Sequence, residues 1–202
     1  MTRRVLLIIS GILLSFTALA LGQNCEKMQG SSADSVSYLT KAKPGQEDGN
    51  CVAAAINKLG EQHDESAIPV LVKFLGFQYP AGPLGKRNLE ARKHGFGPTF
   101  PAELALEKFG NRALPAVLEL IKSTSASREA RESAVAVWMN FYKDNAPTGV
   151  ALLKQEADKT KDPFARQNLG YAAFLAQLNW CSPEQKAQCK AAALAHYSSP
   201  LQ

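Results

Sequence analysis

A stretch between residues 76 and 101 carries the residue types best suited to binding a charged molecule. Four closely spaced cations face a single carboxylate, Glu90, and aromatic rings stand on both sides of them. Cations interleaved with aromatic rings are typical of sites for an acidic protein surface, a glycan phosphate or a lipid head group. The alternative is a structural role, with a short helix over residues 88–94 whose charges are solvated. The candidate binding residues are Tyr79, Lys86, Arg87, Arg92, Lys93 and Phe96.

The net charge of the chain is concentrated in that stretch. The whole chain has 23 lysines and arginines against 18 aspartates and glutamates, a formal charge of +5. Arg3 and Arg4 lie in a segment that we expect to be removed, and the surplus of cations between residues 76 and 101 supplies the remaining +3. Because so small a charge does not hold nucleic acid by electrostatics alone, we expect no nucleic-acid partner.

The N-terminus has the pattern of an export signal. Arg3 and Arg4 precede an apolar run from Val5 to Leu21, and small residues at positions 18, 20 and 22 form a cleavage pattern. The run is at the short limit for a membrane span, which needs about 20 residues, so an uncleaved anchor is the alternative. The sequence therefore predicts a signal peptide over residues 1–22 and a secreted or periplasmic protein. It predicts membrane attachment only if that segment is retained.

The four cysteines are all found after the predicted cleavage point. An even number of cysteines in an exported chain indicates two disulfides, and three pairings are open. We favour Cys25–Cys51 and Cys181–Cys189, which would staple the two ends of the chain separately. If a helix opened at Ser182, Cys189 would lie about 10 Å along it, so the chain at Cys181 must curl back to bring the two within bonding range. A metal site is disfavoured because there is no Cys-x-x-Cys motif and no nearby histidine pair.

The body of the chain repeats itself. Residues 67–75 align without gaps on residues 113–121, and each follows an amphipathic stretch that ends in glycine, Gly60 or Gly110. Apolar residues at i, i+3, i+4 and i+7 predict helices. We expect each glycine to close a helix in the left-handed conformation, and Pro69 and Pro115 to lie in the first turn of the next. Each unit is then a helix–turn–helix pair.

Two further units begin differently. Ser127 and Asp162 are good N-caps, and Pro163 suits the first position of a helix. The second helix of the third unit is expected near residues 147–157, and that of the fourth over residues 187–197, where Ser182 and Gln185 can form a capping box. Arg131 and Arg166 hold equivalent positions, so we interpret both as hydrogen-bonding residues between units. Residues 23–50 are expected to cap the array with a short helix over residues 34–42.

These units resemble HEAT repeats, in particular the short type also found in phycobilin lyases. The likeness rests on the Asp-Pro-Phe-Ala-Arg opening at Asp162 and on the apolar-Gly and Ile-Pro or Leu-Pro pairs, and it covers about residues 51–176. The first unit has a longer turn, and neither of the first two has the Asp-Pro opening. The resemblance implies an all-α superhelix, a HEAT-like solenoid of about four helix pairs over residues 51–202, interrupted by the insert at 76–101.

The sequence contains no catalytic constellation. Gly82–Arg87 lacks the glycine spacing and the hydroxyl of a phosphate loop, and the three histidines lie in separate segments. We therefore expect no catalytic residues, no metal and no cofactor. The leading interpretation is a non-catalytic module that binds another protein of the periplasm or cell exterior. The alternative is a ligand-binding or enzymatic protein that uses the insert against the concave face of the array.

Overall fold

The computed structural model describes residue 25 and residues 30–43, 47–78, 100–185 and 187–191. Regular structure in these ranges is helical throughout, which confirms the predicted all-α class. Short 3₁₀ turns precede α3, α5 and α7, and none of the described helices is long and apolar enough to cross a membrane. The predicted export signal lies outside the described residues. In chain order the α-helices are α1 Ser32–Lys41, α2 Gly49–Gln62, α3 Ile68–Lys73, α4 Pro101–Glu107, α5 Leu114–Lys122, α6 Arg128–Phe141, α7 Ala146–Lys159 and α8 Pro163–Trp180.

The helix starts follow the expected capping chemistry. Ser127 accepts a hydrogen bond from the Ala130 amide at 3.1 Å and Asp162 accepts one from the Ala165 amide at 2.8 Å, which satisfies free donors at the N-termini of α6 and α8. Helix α1, predicted over residues 34–42, begins two residues earlier behind a capping box of Ser31 and Asp34. Prolines stand in the first turn of α3, α5, α7 and α8 as predicted.

The two glycines that were expected to close helices behave differently. Gly110 has φ of +60°, so it takes the predicted left-handed conformation. The prediction for Gly60 is wrong, because α2 continues to Gln62 and the left-handed residue is His63, with φ of 52°. Gly60 is buried, and a Cβ built there would lie 2.8 Å from the Ala105 Cα. Its lack of a side chain therefore lets α2 and α4 approach closely.

The helices pack in a regular order. Helix α2 lies against α4, α4 against α6, and α6 against α8, and these are the helices predicted to open the four units. Among the second helices of the units, α3 and α5 are in contact, and α7 packs along α8. Leu59, Leu106 and Leu169 are fully buried members of one hydrophobic cluster that runs from α1 to α8. Burial of that cluster is the main favourable term holding the helices together.

Arginine and asparagine side chains tie successive helix pairs together. Arg131 of α6 donates hydrogen bonds to the carbonyls of Ser123 and Ala126, and Arg166 of α8 donates to the carbonyl of Thr160 at 3.1 Å. Asn168 adds a bond to the Ser123 carbonyl at 3.1 Å. These donors satisfy carbonyls at and just after the ends of α5 and α7, which have no partner within their own helices. The predicted hydrogen-bonding role of both arginines is confirmed.

Helices α6, α7 and α8 pack closely together around Gly149. The buried Trp138 indole donates a hydrogen bond to the Gly149 carbonyl at 3.1 Å. A Cβ on Gly149 would lie 2.9 Å from a ring carbon of Trp180 and 2.8 Å from the Cβ of Tyr142. Both tryptophans therefore meet the same glycine from two sides, which fixes the start of α7 against the end of α8.

The two disulfides have the predicted pairing. Cys25 is bonded to Cys51 with 5.3 Å between their Cα atoms, and Cys181 to Cys189 with 6.6 Å. The chain curls back after α8 as the second bridge requires, because residues 183–185 form a turn and the next helical stretch is residues 187–191. Two disulfides are typical of a protein that folds in an oxidising compartment.

Candidate functional site

A groove of about 880 Å³ crosses the face formed by α4, α6 and α8. Helix α6 contacts both of the others, so it forms the floor between two walls. The residues on the floor recur with helical spacing, at Arg128, Glu132, Val135 and Met139. The floor is apolar at its centre, and its charged residues lie towards its ends. Leu104 and Glu107 of α4, and Tyr171, Leu175 and Asn179 of α8, complete most of the lining.

Hydrogen bonds to the floor position the α4 wall. Glu103 and Glu107 are one helical turn apart on α4 and line the groove together. The hydroxyl of Ser133, itself buried, donates to the Glu103 carboxylate, and the amide of Asn140 donates to the Glu107 carboxylate. These bonds hold both carboxylates against α6, where they line the groove.

The opposite wall is held by a three-residue polar cluster. Arg128 donates to Glu132 at 2.7 Å and to the Tyr171 hydroxyl at 3.2 Å, and that hydroxyl lies 3.1 Å from the Glu132 carboxylate, to which it donates. The hydrogen bond to Glu132 is the largest cause that raises the pKa of Arg128, so the guanidinium stays charged at any physiological pH. The side chain of Tyr171 is thereby held beside α6, where it lines the groove.

The lining combines apolar residues at its centre with hydrogen-bonding groups along its edges. Ala136 and Met139 offer apolar contact beside the buried Val135, and methionine adapts its shape to different partners. The amides of Asn140 and Asn179 and the carboxylates of α4 supply acceptors and donors along the edges. Among the residues that the structure describes, no three acidic, histidine or cysteine side chains gather as a metal site would require.

The predicted binding residues of the insert lie outside the described residues. Tyr79, Lys86, Arg87, Arg92, Lys93 and Phe96 all fall between residues 79 and 99, so their binding role stays a prediction. Both flanks of the insert are described. Phe77 packs edge-on against Phe74 with 6.1 Å between ring centroids, and Pro101 is the buried first residue of α4. The aromatic residue that follows α3 therefore anchors the chain to the core.

The groove was not predicted from the sequence. In the sequence, its residues have the pattern of the polar faces of ordinary amphipathic helices. The hydrogen-bonded pairs that shape the groove are 30 or more residues apart, so no local pattern indicates them. One signal was present. Helix α6 carries apolar residues at 136 and 139 beside the stripe at 134, 135, 137 and 138 that the core uses, which is more than one buried face requires.

No family model, curated protein or solved structure matches the chain.

Proposed function

We propose that the protein is an exported, non-catalytic binding module, built as a HEAT-like helical array, that holds a segment of another protein in the groove of α4, α6 and α8. The observation that carries the proposal is the groove itself. It runs over three successive first helices of the units, and such extended surfaces are what stacked helix pairs use to bind partners. The volume of about 880 Å³ accommodates several side chains of a bound segment.

The packing order supports the array. The contacts α2 to α4, α4 to α6 and α6 to α8 are those of units stacked in sequence, and Arg131 and Arg166 each bond the carbonyl of the residue that caps the preceding helix, Ser123 or Thr160. The resemblance to HEAT repeats rests on the Asp-Pro opening and on the apolar-Gly and Ile-Pro or Leu-Pro pairs of the sequence. The two disulfides support export, because such bonds persist in oxidising compartments.

The charges of the groove indicate the chemistry of the partner segment. The groove is lined by the carboxylates of Glu103, Glu107 and Glu132 and by the cations of Arg128 and Lys143. Arg128 is paired with Glu132 at 2.7 Å, so the carboxylates of the α4 wall outnumber the remaining cation. A lysine or arginine of the partner fits the α4 wall, and an apolar side chain next to it fits the floor at Met139. The expected partner is therefore a protein of the periplasm or cell exterior with a basic and apolar segment.

A direct test compares two labelled peptides of equal length, one alternating lysine with leucine and one alternating glutamate with leucine. We expect the basic peptide to bind the full chain more tightly, measured by fluorescence anisotropy. Glu107→Gln should weaken its binding about threefold, because one partly exposed charge contact contributes about 0.6 kcal/mol. Met139→Asp should weaken binding of both peptides.

Glu61→Gln is the matched control, because Glu61 is an exposed carboxylate of α2 that does not line the groove. Equal binding of the two peptides, unchanged by the groove variants, would contradict the proposal.

A further inference from the structure

A second cleft lies between the start of α7 and the end of α8, and it shares no lining residue with the groove. Its volume is about 410 Å³, within the range of about 300–1,000 Å³ that is typical of small-molecule sites. On the α7 side the lining recurs with helical spacing, at Pro147, Val150 and Lys154. The α8 side includes Gln177 and Trp180. We call this site the α7–α8 cleft.

The apolar part of the α7–α8 cleft is built around Trp180. Because Gly149 has no side chain, the Trp180 ring packs against α7, and a Cβ built on that glycine would lie 2.9 Å from a ring carbon. Trp180 and Val150 are both half-buried, so each keeps apolar surface in contact with water. The disulfide from Cys181 to Cys189 holds the chain at the end of this wall. An apolar body placed in the cleft would remove that surface from water, which favours binding.

Three side chains of the cleft carry hydrogen-bond donors that are not used within the described residues. The Lys154 ammonium and the Gln177 amide make no hydrogen bond or ion pair there. The Trp180 indole N–H has no acceptor there either. It is not sealed from solvent, since Ser35 Oγ is the one buried side-chain nitrogen or oxygen without a partner in the described part of the chain. The three donors are therefore available to a ligand.

The charge of the cleft favours an anion. Lys154 is the only charged residue among those that line it, so no carboxylate of the lining neutralises its ammonium. Lys122 differs, because it pairs with Glu119 at 2.9 Å and with Glu156 at 3.4 Å. Lys154 is half-buried, and a partly buried ion pair is screened less by salt than an exposed one. One cation and two further donors beside apolar surface match a carboxylate attached to an apolar body.

We propose that the α7–α8 cleft binds a small alkyl or aryl carboxylate, with the carboxylate at Lys154 and Gln177 and the apolar body against Trp180 and Val150. An inorganic anion would leave the apolar surface uncovered, and an uncharged molecule would leave Lys154 without a counter-ion. This inference does not depend on the groove or on its partner, so it stands or fails separately from the proposed function.

The test uses three probes that share one apolar body, namely phenylbutyrate, its uncharged amide and the corresponding amine. Trp180 supplies the signal, because Trp138 is only 4% exposed and is already shielded from a quencher in water. We expect phenylbutyrate to protect the tryptophan fluorescence of the full chain from acrylamide quenching. Half-saturation should lie at about 1 mM, as suits a ligand of this size at an open site. The amide should bind about threefold more weakly, and the amine more weakly still.

A lysine variant separates the charge from the apolar contact. Lys154→Met keeps the aliphatic stem and removes the ammonium, so it should weaken phenylbutyrate binding about threefold and leave the affinity for the amide unchanged. A general loss of folding would weaken both. Lys159→Met is the matched control, because Lys159 is an exposed lysine of the same helix that does not line the cleft.

Three outcomes overturn the proposal. Equal affinity for the three probes, or an equal loss in both lysine variants, would show that the cleft does not select a carboxylate. Failure of all three probes to bind the full chain would show that it is not a site for molecules of this kind. Shielding of Trp180 from acrylamide in the ligand-free chain would show that another part of the chain, or a second copy, already fills the cleft.

Discussion

The two ends of the helical core are finished in different ways. At the N-terminal end, α1 lies across α2 and α3, buries Leu39 completely and turns polar residues outwards. At the other end, α8 leaves Phe164 66% exposed at its first turn, and the chain is held by the disulfide between Cys181 and Cys189. Within the described residues, one end of the apolar interior is therefore covered by a helix and the other is secured mainly by a covalent bond. The comparison indicates that packing contributes more to stability at the first end than at the second.

Removal of the disulfides is expected to have the largest effects on stability at the two ends. Cys25–Cys51 closes a loop with a sequence separation of 26, whereas Cys181–Cys189 closes one of 8. The loop-entropy model gives about 3.5 kcal/mol for the first and about 2.5 kcal/mol for the second. Urea unfolding followed by circular dichroism should rank Cys25→Ala with Cys51→Ala as the more damaging pair. A larger loss from Cys181→Ala with Cys189→Ala would mean that the C-terminal end is the better secured one.

Leucine and phenylalanine truncations compare the two ends directly. Leu39→Ala opens a cavity under α1 and should lower the free energy of unfolding by about 3 kcal/mol. Phe164→Ala should lower it by less than about 0.5 kcal/mol in the monomer, because its side chain is already mostly in water. Both values come from urea unfolding at low protein concentration. Equal losses would show that Phe164 is packed as tightly as Leu39.

A lysine secures α1 to the rest of the core. The Lys73 ammonium donates to the carbonyls of Thr40 at 3.1 Å and of Ala42 at 3.0 Å, which binds a cation at the C-terminus of α1. Lys73→Met keeps the aliphatic stem and removes the charge, so it should cost about 1 kcal/mol in urea unfolding. Lys161→Met, at an exposed loop lysine, should have almost no effect. A similar loss in both variants would assign the effect to net charge.

Replacement of Asp34 in the capping box of α1 is expected to change the stability least, and the size of the change depends on pH. The backbone hydrogen bond from Ser31 is the largest cause that lowers the pKa of Asp34. A lowered pKa in the folded state means that this carboxylate stabilises the fold above its unfolded pKa and loses that effect as the pH falls. The difference in Tm between the wild type and Asp34→Asn should therefore be largest near pH 7 and shrink below about pH 4. A difference in Tm that stays constant between pH 7 and pH 3 would contradict the stabilising role of the carboxylate.

The sequence predicted local features well, because their causes are local. The proline positions, the caps at Ser127 and Asp162 and the pairing of the cysteines follow from a few neighbouring residues. Gly60 shows where this fails. An apolar residue followed by glycine is the same pattern whether the glycine ends a helix or admits a neighbour, and only Ala105, far along the chain, distinguishes the two. The groove was missed for the same reason, since Ser133 and Glu103 meet through tertiary packing.

The close packing around Gly149 determines what tryptophan fluorescence measures when the protein unfolds in solution. Trp138 and Trp180 are the only tryptophans of the chain, and both touch this glycine. Intrinsic tryptophan fluorescence therefore reports on the contact between α6, α7 and α8 and carries no signal from α1 to α5. Far-ultraviolet circular dichroism senses all the helices at once. Comparing the two signals during unfolding reveals whether the part of the molecule that carries the groove floor opens together with the rest or before it.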